Sequence, residues 1–355
     1  MIPREQYLQI PLEKRFIKLN PEQDVRAKAL HRNALVIDLH THILDEKHGE
    51  PFEGIVPHIK RSQVDCFIEA VAVINEDFDE SMQRLGEYIH KVEKHPDVIP
   101  AFCAQDILDA SAKGKQAVMF QLEPQAFGRN LGCIEIAYGL GIRMALLTFN
   151  TRTYIGDGCG ERTDDGLSYF GYQVVGRMNE LRMLIDLSHC GNQTTLDAIR
   201  ASKVPVMVNH AGARALYPQL KRLKTDEVLK ELANHGGIIG ISAIPNQLSG
   251  NAQQGIEDVL DHIGYIVKLI GVDHIAVGLD NVFGDHVAYH RKAAQSIFKL
   301  AYIGQELNAP YMYGIESPEE WPNITRGLVS RGYSDEDIKK IIGGNGLRVI
   351  KEVVG

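Results

Sequence analysis

Short apolar runs alternate along this chain with stretches whose hydrophobic positions recur every three or four residues. The runs are residues 34–42, 67–74, 117–122, 144–149, 183–188, 205–209, 237–241 and 274–279. Between them lie amphipathic segments with readable ends. Thr225 can cap a helix that carries Val228, Leu229 and Leu232 and stops at Gly236, and residues 256–270 set Leu260, Ile263, Val267 and Ile270 on one face before Gly271. Alternating strand and helix predicts a parallel sheet with right-handed crossovers. Eight such units fit an α/β fold of the (β/α)8 barrel type. The alternative, a doubly wound open sheet, lacks its Gly-rich phosphate turn after the first strand here. Residues 1–33, charged and helix-prone, predict an N-terminal helical arm packed on the core, and residues 34–355 a single barrel domain. Residues 45–57 read as a loop beside the first strand, and residues 156–166 as a long flexible loop, equally an active-site rim or an ordinary surface loop. Ser334 caps a packing helix over 334–343, ahead of a Gly343-Gly344-Asn345 turn.

Length and composition agree with this reading. The chain has 355 residues, 44% hydrophobic and 24% charged, enough for one barrel of about 250 residues with insertions. A net charge of −8 without a clustered basic stretch argues against a nucleic-acid or anionic-membrane surface, so the expected partner is a small molecule. No apolar run reaches the length of a membrane span. The N-terminus lacks an apolar signal core and the C-terminus an anchor tail. Five scattered cysteines with no Cys-x-x-Cys pair point to neither a disulfide framework nor a thiolate metal site, so the reduced cytoplasm is the expected location.

The strand ends change the picture from fold to chemistry. In the first run, His40 and His42 are two residues apart, and strand alternation turns both imidazoles to one side. Taken alone, the pair reads first as a packed, hydrogen-bonded strand end and only second as a metal site. The third run ends in Glu123, the fifth in His189, the sixth in His210 and the eighth in Asp280. In a (β/α)8 barrel these positions share the active face. Five strand ends that supply only His, Glu and Asp predict a metal site made of His40, His42, Glu123, His189 and His210. Glu123 can bridge two divalent ions roughly 3.5–4 Å apart that hold and acidify a water, and Asp280 is placed to act as acid/base in hydrolysis. Without a thiolate, Zn2+ is the first expectation, with Mn2+ or Fe2+ open. Asp38, two residues before His40, shares its face and is equally a support for that ligand or a buried polar residue of the strand.

The segments Val36-Ile37-Asp38-Leu39-His40, Leu184-Ile185-Asp186-Leu187-Ser188-His189, His210-Ala211-Gly212-Ala213-Arg214-Ala215-Leu216, Ile275-Ala276-Val277-Gly278-Leu279-Asp280 and Gly343-Gly344-Asn345-Gly346-Leu347-Arg348-Val349 resemble, in order and spacing, motifs of the membrane (renal-type) dipeptidase family of the amidohydrolase superfamily. The resemblance runs from about residue 34 to the C-terminus. It implies a (β/α)8 barrel with a binuclear zinc site that cleaves dipeptides as a homodimer. It carries His40 over as a ligand of the first metal, Glu123 as the bridge, His189 and His210 as ligands of the second, and Asp280 as the acid/base.

The chain departs from that pattern in three places. His42 stands where the family has an aspartate, which removes one negative charge. Thr148-Phe149-Asn150 stands where the family has Thr-His-Asn, whose histidine contacts the substrate carbonyl; losing it removes about 3 kcal/mol of transition-state stabilisation if nothing substitutes. The arginine that holds the dipeptide carboxylate falls at Lys221 or Arg222, and only a guanidinium binds a carboxylate bidentately. Phe149, Asn150, Lys221 and Arg222 are therefore the candidate substrate-binding residues, with metal chemistry retained and recognition altered.

Overall fold

The computed structural model describes residues 2–44, 51–71, 77–123, 127–282, 285, 287–288 and 308–355. Eight parallel strands form the barrel wall: β1 (Ile37–His42), β2 (Cys66–Ala70), β4 (Gln116–Leu122), β5 (Ile142–Leu146), β6 (Leu184–Asp186), β7 (Met207–Ala211), β8 (Ile238–Ile241) and β10 (Ile275–Val277). Their neighbours run β10-β8-β7-β6-β5-β4-β2-β1. The ring closes where the chain after β10 returns as β11 (Asn281–Val282) and pairs with β1, Thr41 opposite Asn281. The eight-unit expectation thus holds, each expected run overlapping a wall strand.

One short strand escaped the pattern. Val98–Pro100 (β3) pairs with the first half of β4, Val98 opposite Gln116, whereas the second half of β4 pairs with β5, Phe120 opposite Ile142. Three residues ending in proline carry no readable period. A two-stranded ribbon, β9 (Gln254–Gly255) with β12 (Met312–Tyr313), lies outside the barrel sheet.

Alternation divides the strands between two cores. Leu39, Ile68, Met119, Leu184, Met207 and Ile238 face the barrel interior, closed at its N-terminal end by Ile107 of helix Ala104–Ala112 and by Val349 and Val353 of helix Asn345–Val353. Phe67, Val118, Ile185, Val208 and Ile239 face the surrounding helices. Helix Asp226–Asn234 shows why those helices form. The Thr225 hydroxyl accepts from the Val228 N–H, and Val228, Leu229 and Leu232 are fully buried. Each such burial stabilises by about 1.5–3 kcal/mol.

Three loop expectations need correction. Helix Phe52–Ser62 occupies the end of the expected 45–57 loop, because Phe52, Ile55, Val56 and Ile59 form a buried face that outweighs Pro57 inside it; residues 45–50 lie outside the described residues, as do 72–76 at the end of the second run. The 156–166 loop is not loose: Asp157 accepts from Arg152 and from the Asp165 N–H, and Asp164 accepts from the Gln193 and Thr194 N–H groups. Finally, Gly343-Gly344-Asn345 is no turn. The chain continues through a π-helical turn, Lys340–Gly344, and a Cβ at Gly343 would stand 2.1 Å from the Leu35 carbonyl oxygen. The glycine permits that close approach.

At the N-terminus, helix Pro21–Asn33 packs on helix Pro322–Ser330, with His31 set between the Thr325 hydroxyl and the Ser62 carbonyl. No helix among the described residues is long and apolar enough to cross a membrane.

Candidate metal centre

At the C-terminal ends of the strands, all six groups expected from sequence meet. His40 Nε2 lies 3.8 Å from Glu123 Oε1 and 3.6 Å from Asp280 Oδ1. His42 Nε2 is 3.3 Å from Asp280 Oδ1, and His210 Nε2 is 3.7 Å from Asp280 Oδ2. His189 Nε2 and His210 Nε2 stand 2.9 Å apart. The rings of His40 and His210 stack with centroids 3.8 Å apart. All are buried except His42, whose side chain is 26% exposed.

His40 and His42, two residues apart on β1, both reach the cluster, as strand alternation predicts. The register of β1 against β2 shifts between Asp38 and Thr41. His40 faces the cluster, while Asp38 accepts from the Trp321 indole at 2.9 Å and from the Leu279 N–H at 2.9 Å. Asp38 supports the backbone that joins β1 to β10 and not the imidazole of His40, which fits a buried polar residue of the strand. The chain after His42 is held by buried Glu69, which accepts from the Thr41 hydroxyl and the Ile43 and Leu44 N–H groups.

The donor set fits a divalent metal. Glu123 Oε1 is buried and has no hydrogen-bond partner among the described residues, a costly state for a carboxylate that a cation would relieve. His189 Nε2 and His210 Nε2 stand at hydrogen-bond distance, and burial holds both imidazoles neutral, the form that ligates a metal. Burial raises the Glu123 carboxyl to about 8 and lowers His40 to about 3. Burial also pulls His42 down, but its hydrogen bond to Asp280 prevails and holds it at about 9. His40, His42 and Asp280 each offer one ligand atom within 4.8 Å of the others.

Around this cluster the candidate substrate residues separate. Phe149 stacks on His189, centroids 3.9 Å apart. Asn150 Oδ1 faces His189 Nδ1 at 2.8 Å. Arg222 is buried and donates to the carbonyls of Ser188 and His210, leaving its Nε without a partner among the described residues. Lys221 lies at the surface and donates to the Glu161 carbonyl.

Sequence reasoning missed the polar layer beneath the ligands. Gln121 donates to Asp186 at 3.0 Å; Asp186 accepts from the N–H groups of Ser188 and Asn209; Asn209 donates to the Leu39 carbonyl and to Gln121. Its signal was available: polar residues inside apolar strands, one to three positions before a candidate ligand.

The membrane dipeptidase (peptidase family M19) model matches residues 26–290 and 302–354. Dipeptidase tcpJ from Claviceps purpurea is 30% identical over 254 residues, covering 70% of this chain and 54% of that protein. Dipeptidase aclJ from Aspergillus oryzae is 28% identical over 278 residues, covering 75% of this chain and 60% of that protein. The chain thus spans little more than half the length of these relatives. Among solved structures, an amidohydrolase from Pseudomonas aeruginosa aligns with a TM-score of 0.83 at 28% identity, covering 93% of this chain and 99% of that one. Strand order, strand-end chemistry and the family match agree: the chain belongs to the membrane dipeptidase family, peptidase family M19, within the amidohydrolase superfamily.

Proposed function

We propose that this protein is a metal-dependent hydrolase that cleaves the amide bond of dipeptides, with zinc as its metal. The observation that carries the reading is the convergence of five strand ends on one buried cluster in which Glu123 Oε1, 3.8 Å from His40 Nε2, has no hydrogen-bond partner among the described residues. His40, His42, Glu123, His189 and His210 would hold a pair of ions, with Glu123 between them. Bound divalent metal supplies Lewis acidity and makes water acidic enough to attack at neutral pH. Asp280 receives the proton from the attacking water and returns it to the leaving amine, its carboxylate held between three imidazoles. Arg222 pairs with the substrate carboxylate through its Nε, which has no hydrogen-bond partner among the described residues, whereas Lys221, at the surface, suits an outer contact. Phe149 gives the substrate an apolar face beside His189, and Asn150 borders it. That apolar face favours a second reading, the same metal chemistry on an N-acyl amino acid or a lactone. A homodimer in a reducing cytoplasm completes the proposal, the location supported by five free cysteines.

The test is a panel of L,L- and L,D-dipeptides, N-acyl amino acids and lactones, assayed with zinc-reconstituted protein and with Asp280→Asn. Dipeptide hydrolysis lost in the variant supports the proposal. Turnover of none of these substrates, or turnover undiminished in Asp280→Asn, overturns it.

A further inference from the structure

We propose that Asn150 and Asn209 are positioning residues that lock His189 and His210 in the tautomer protonated at Nδ1, so that both imidazoles present bare Nε2 atoms to one point. The proposal deepens the metallohydrolase reading and rests on it for what occupies that point.

An amide oxygen only accepts hydrogen bonds, so a neutral imidazole nitrogen facing it carries the proton. Asn150 Oδ1 lies 2.8 Å from His189 Nδ1 and also takes a contact from Cys159 Sγ at 3.2 Å. Asn209 Oδ1 faces His210 Nδ1. The second amide cannot flip without loss, because its Nδ2 donates to the Leu39 carbonyl at 3.0 Å and to Gln121 Oε1. Gln121 is itself oriented by Asp186, to whose Oδ2 it donates at 3.0 Å. The Ser188 hydroxyl sits between Asp186 Oδ1 and Asn209 Oδ1, at 2.6 and 2.7 Å. One buried carboxylate that is not a candidate ligand therefore braces the amide behind His210. With both Nδ1 atoms protonated, the Nε2 lone pairs meet at 2.9 Å. Such an arrangement repels itself unless a cation stands at the meeting point.

Glycine keeps Asn209 in place. A Cβ at Gly240 or Gly278 would come within 2.0 or 2.1 Å of the Asn209 carbonyl oxygen, so β8 and the end of β10 close on that residue from two sides.

The experiment is nitrogen NMR of isotope-labelled histidine in the metal-free full chain, paired with zinc titration of Asn150→Leu and Asn150→Asp. The expected spectrum has His189 and His210 protonated at Nδ1. Asn150→Leu, which removes the acceptor, shifts the His189 tautomer and weakens zinc binding by about 10–100-fold, whereas Asn150→Asp, which keeps an acceptor, restores both. Nε2-protonated rings in the wild type, or unchanged zinc affinity in Asn150→Leu, overturn the proposal. Should the leucine variant not fold, the wild-type spectrum decides. A wild-type chain that binds no zinc overturns the functional reading instead, and the tautomers in the metal-free spectrum still decide the role of the two asparagines.

Discussion

The backbone N–H of Asp280 donates to the carbonyl of His40 at 2.9 Å, so the contact that closes the barrel also sets the candidate acid/base beside the first candidate ligand. Asp280 adopts a left-handed backbone, φ 58°, which asparagine and aspartate tolerate better than other side chains. Asp280→Asn is therefore expected to keep the backbone unstrained, with a Tm lowered only by loss of the ion pair to His42, while lowering kcat/KM on a dipeptide by about 10²–10⁴-fold. Asp280→Ala should lose activity and also about 1 kcal/mol of stability. Steady-state kinetics beside thermal unfolding separates the two effects.

Glu123 has a different signature. Its buried Oε1, without a hydrogen-bond partner among the described residues, makes it the group most dependent on a bound cation. Elemental analysis after zinc reconstitution should find roughly two equivalents in the wild type and at most about one in Glu123→Ala. Two equivalents in that variant would remove Glu123 from the ligand set. Chelation should lower the Tm of the wild type, because a metal that binds only the folded state adds to its stability.

Away from the metal centre, His31 predicts an acid sensitivity. Burial holds it at about 4, below its ordinary value of 6.5, between Thr325 and Ser62. The unfolded chain then binds the extra proton first, so stability is fully present above pH 6.5 and falls as pH drops towards 4, by about 3 kcal/mol. Urea unfolding across that window should show a shallower pH slope in His31→Gln. An equal slope in both proteins would acquit His31.

Trp321 anchors the opposite side of β1. Its ring is fully buried and its Nε1 donates to Asp38 Oδ2 at 2.9 Å. Trp321→Phe leaves a buried carboxylate oxygen short of a partner and should cost about 1–3 kcal/mol. Trp321→Ala adds a cavity and should cost about 3–5 kcal/mol. Denaturation followed by circular dichroism measures both, since Trp321 is the only tryptophan of the chain. Because Asp38 also holds the Leu279 N–H, the alanine variant should weaken zinc binding as well.

Periodicity by itself determined the barrel, because strands buried on both faces must be apolar throughout and their helices must carry one apolar stripe. It also determined which residues stand at strand ends, and the run of His, Glu and Asp there made hydrolytic metal chemistry legible. Only tertiary structure decided how those residues meet. Asp38 meets Trp321 and Leu279 while His40 meets Glu123 and Asp280, contacts between residues far apart in the chain that no local pattern encodes. Arg222 and Lys221 are neighbours of similar charge, yet one is buried against the carbonyls of Ser188 and His210 and the other lies at the surface. The polar layer of Gln121, Asp186 and Asn209 joins positions as far apart as 88 residues. Hydrogen bonds across a barrel act through space between side chains, whereas sequence period reports only how each element meets apolar surroundings; ligand identity was therefore written along the strands, and ligand orientation only between them.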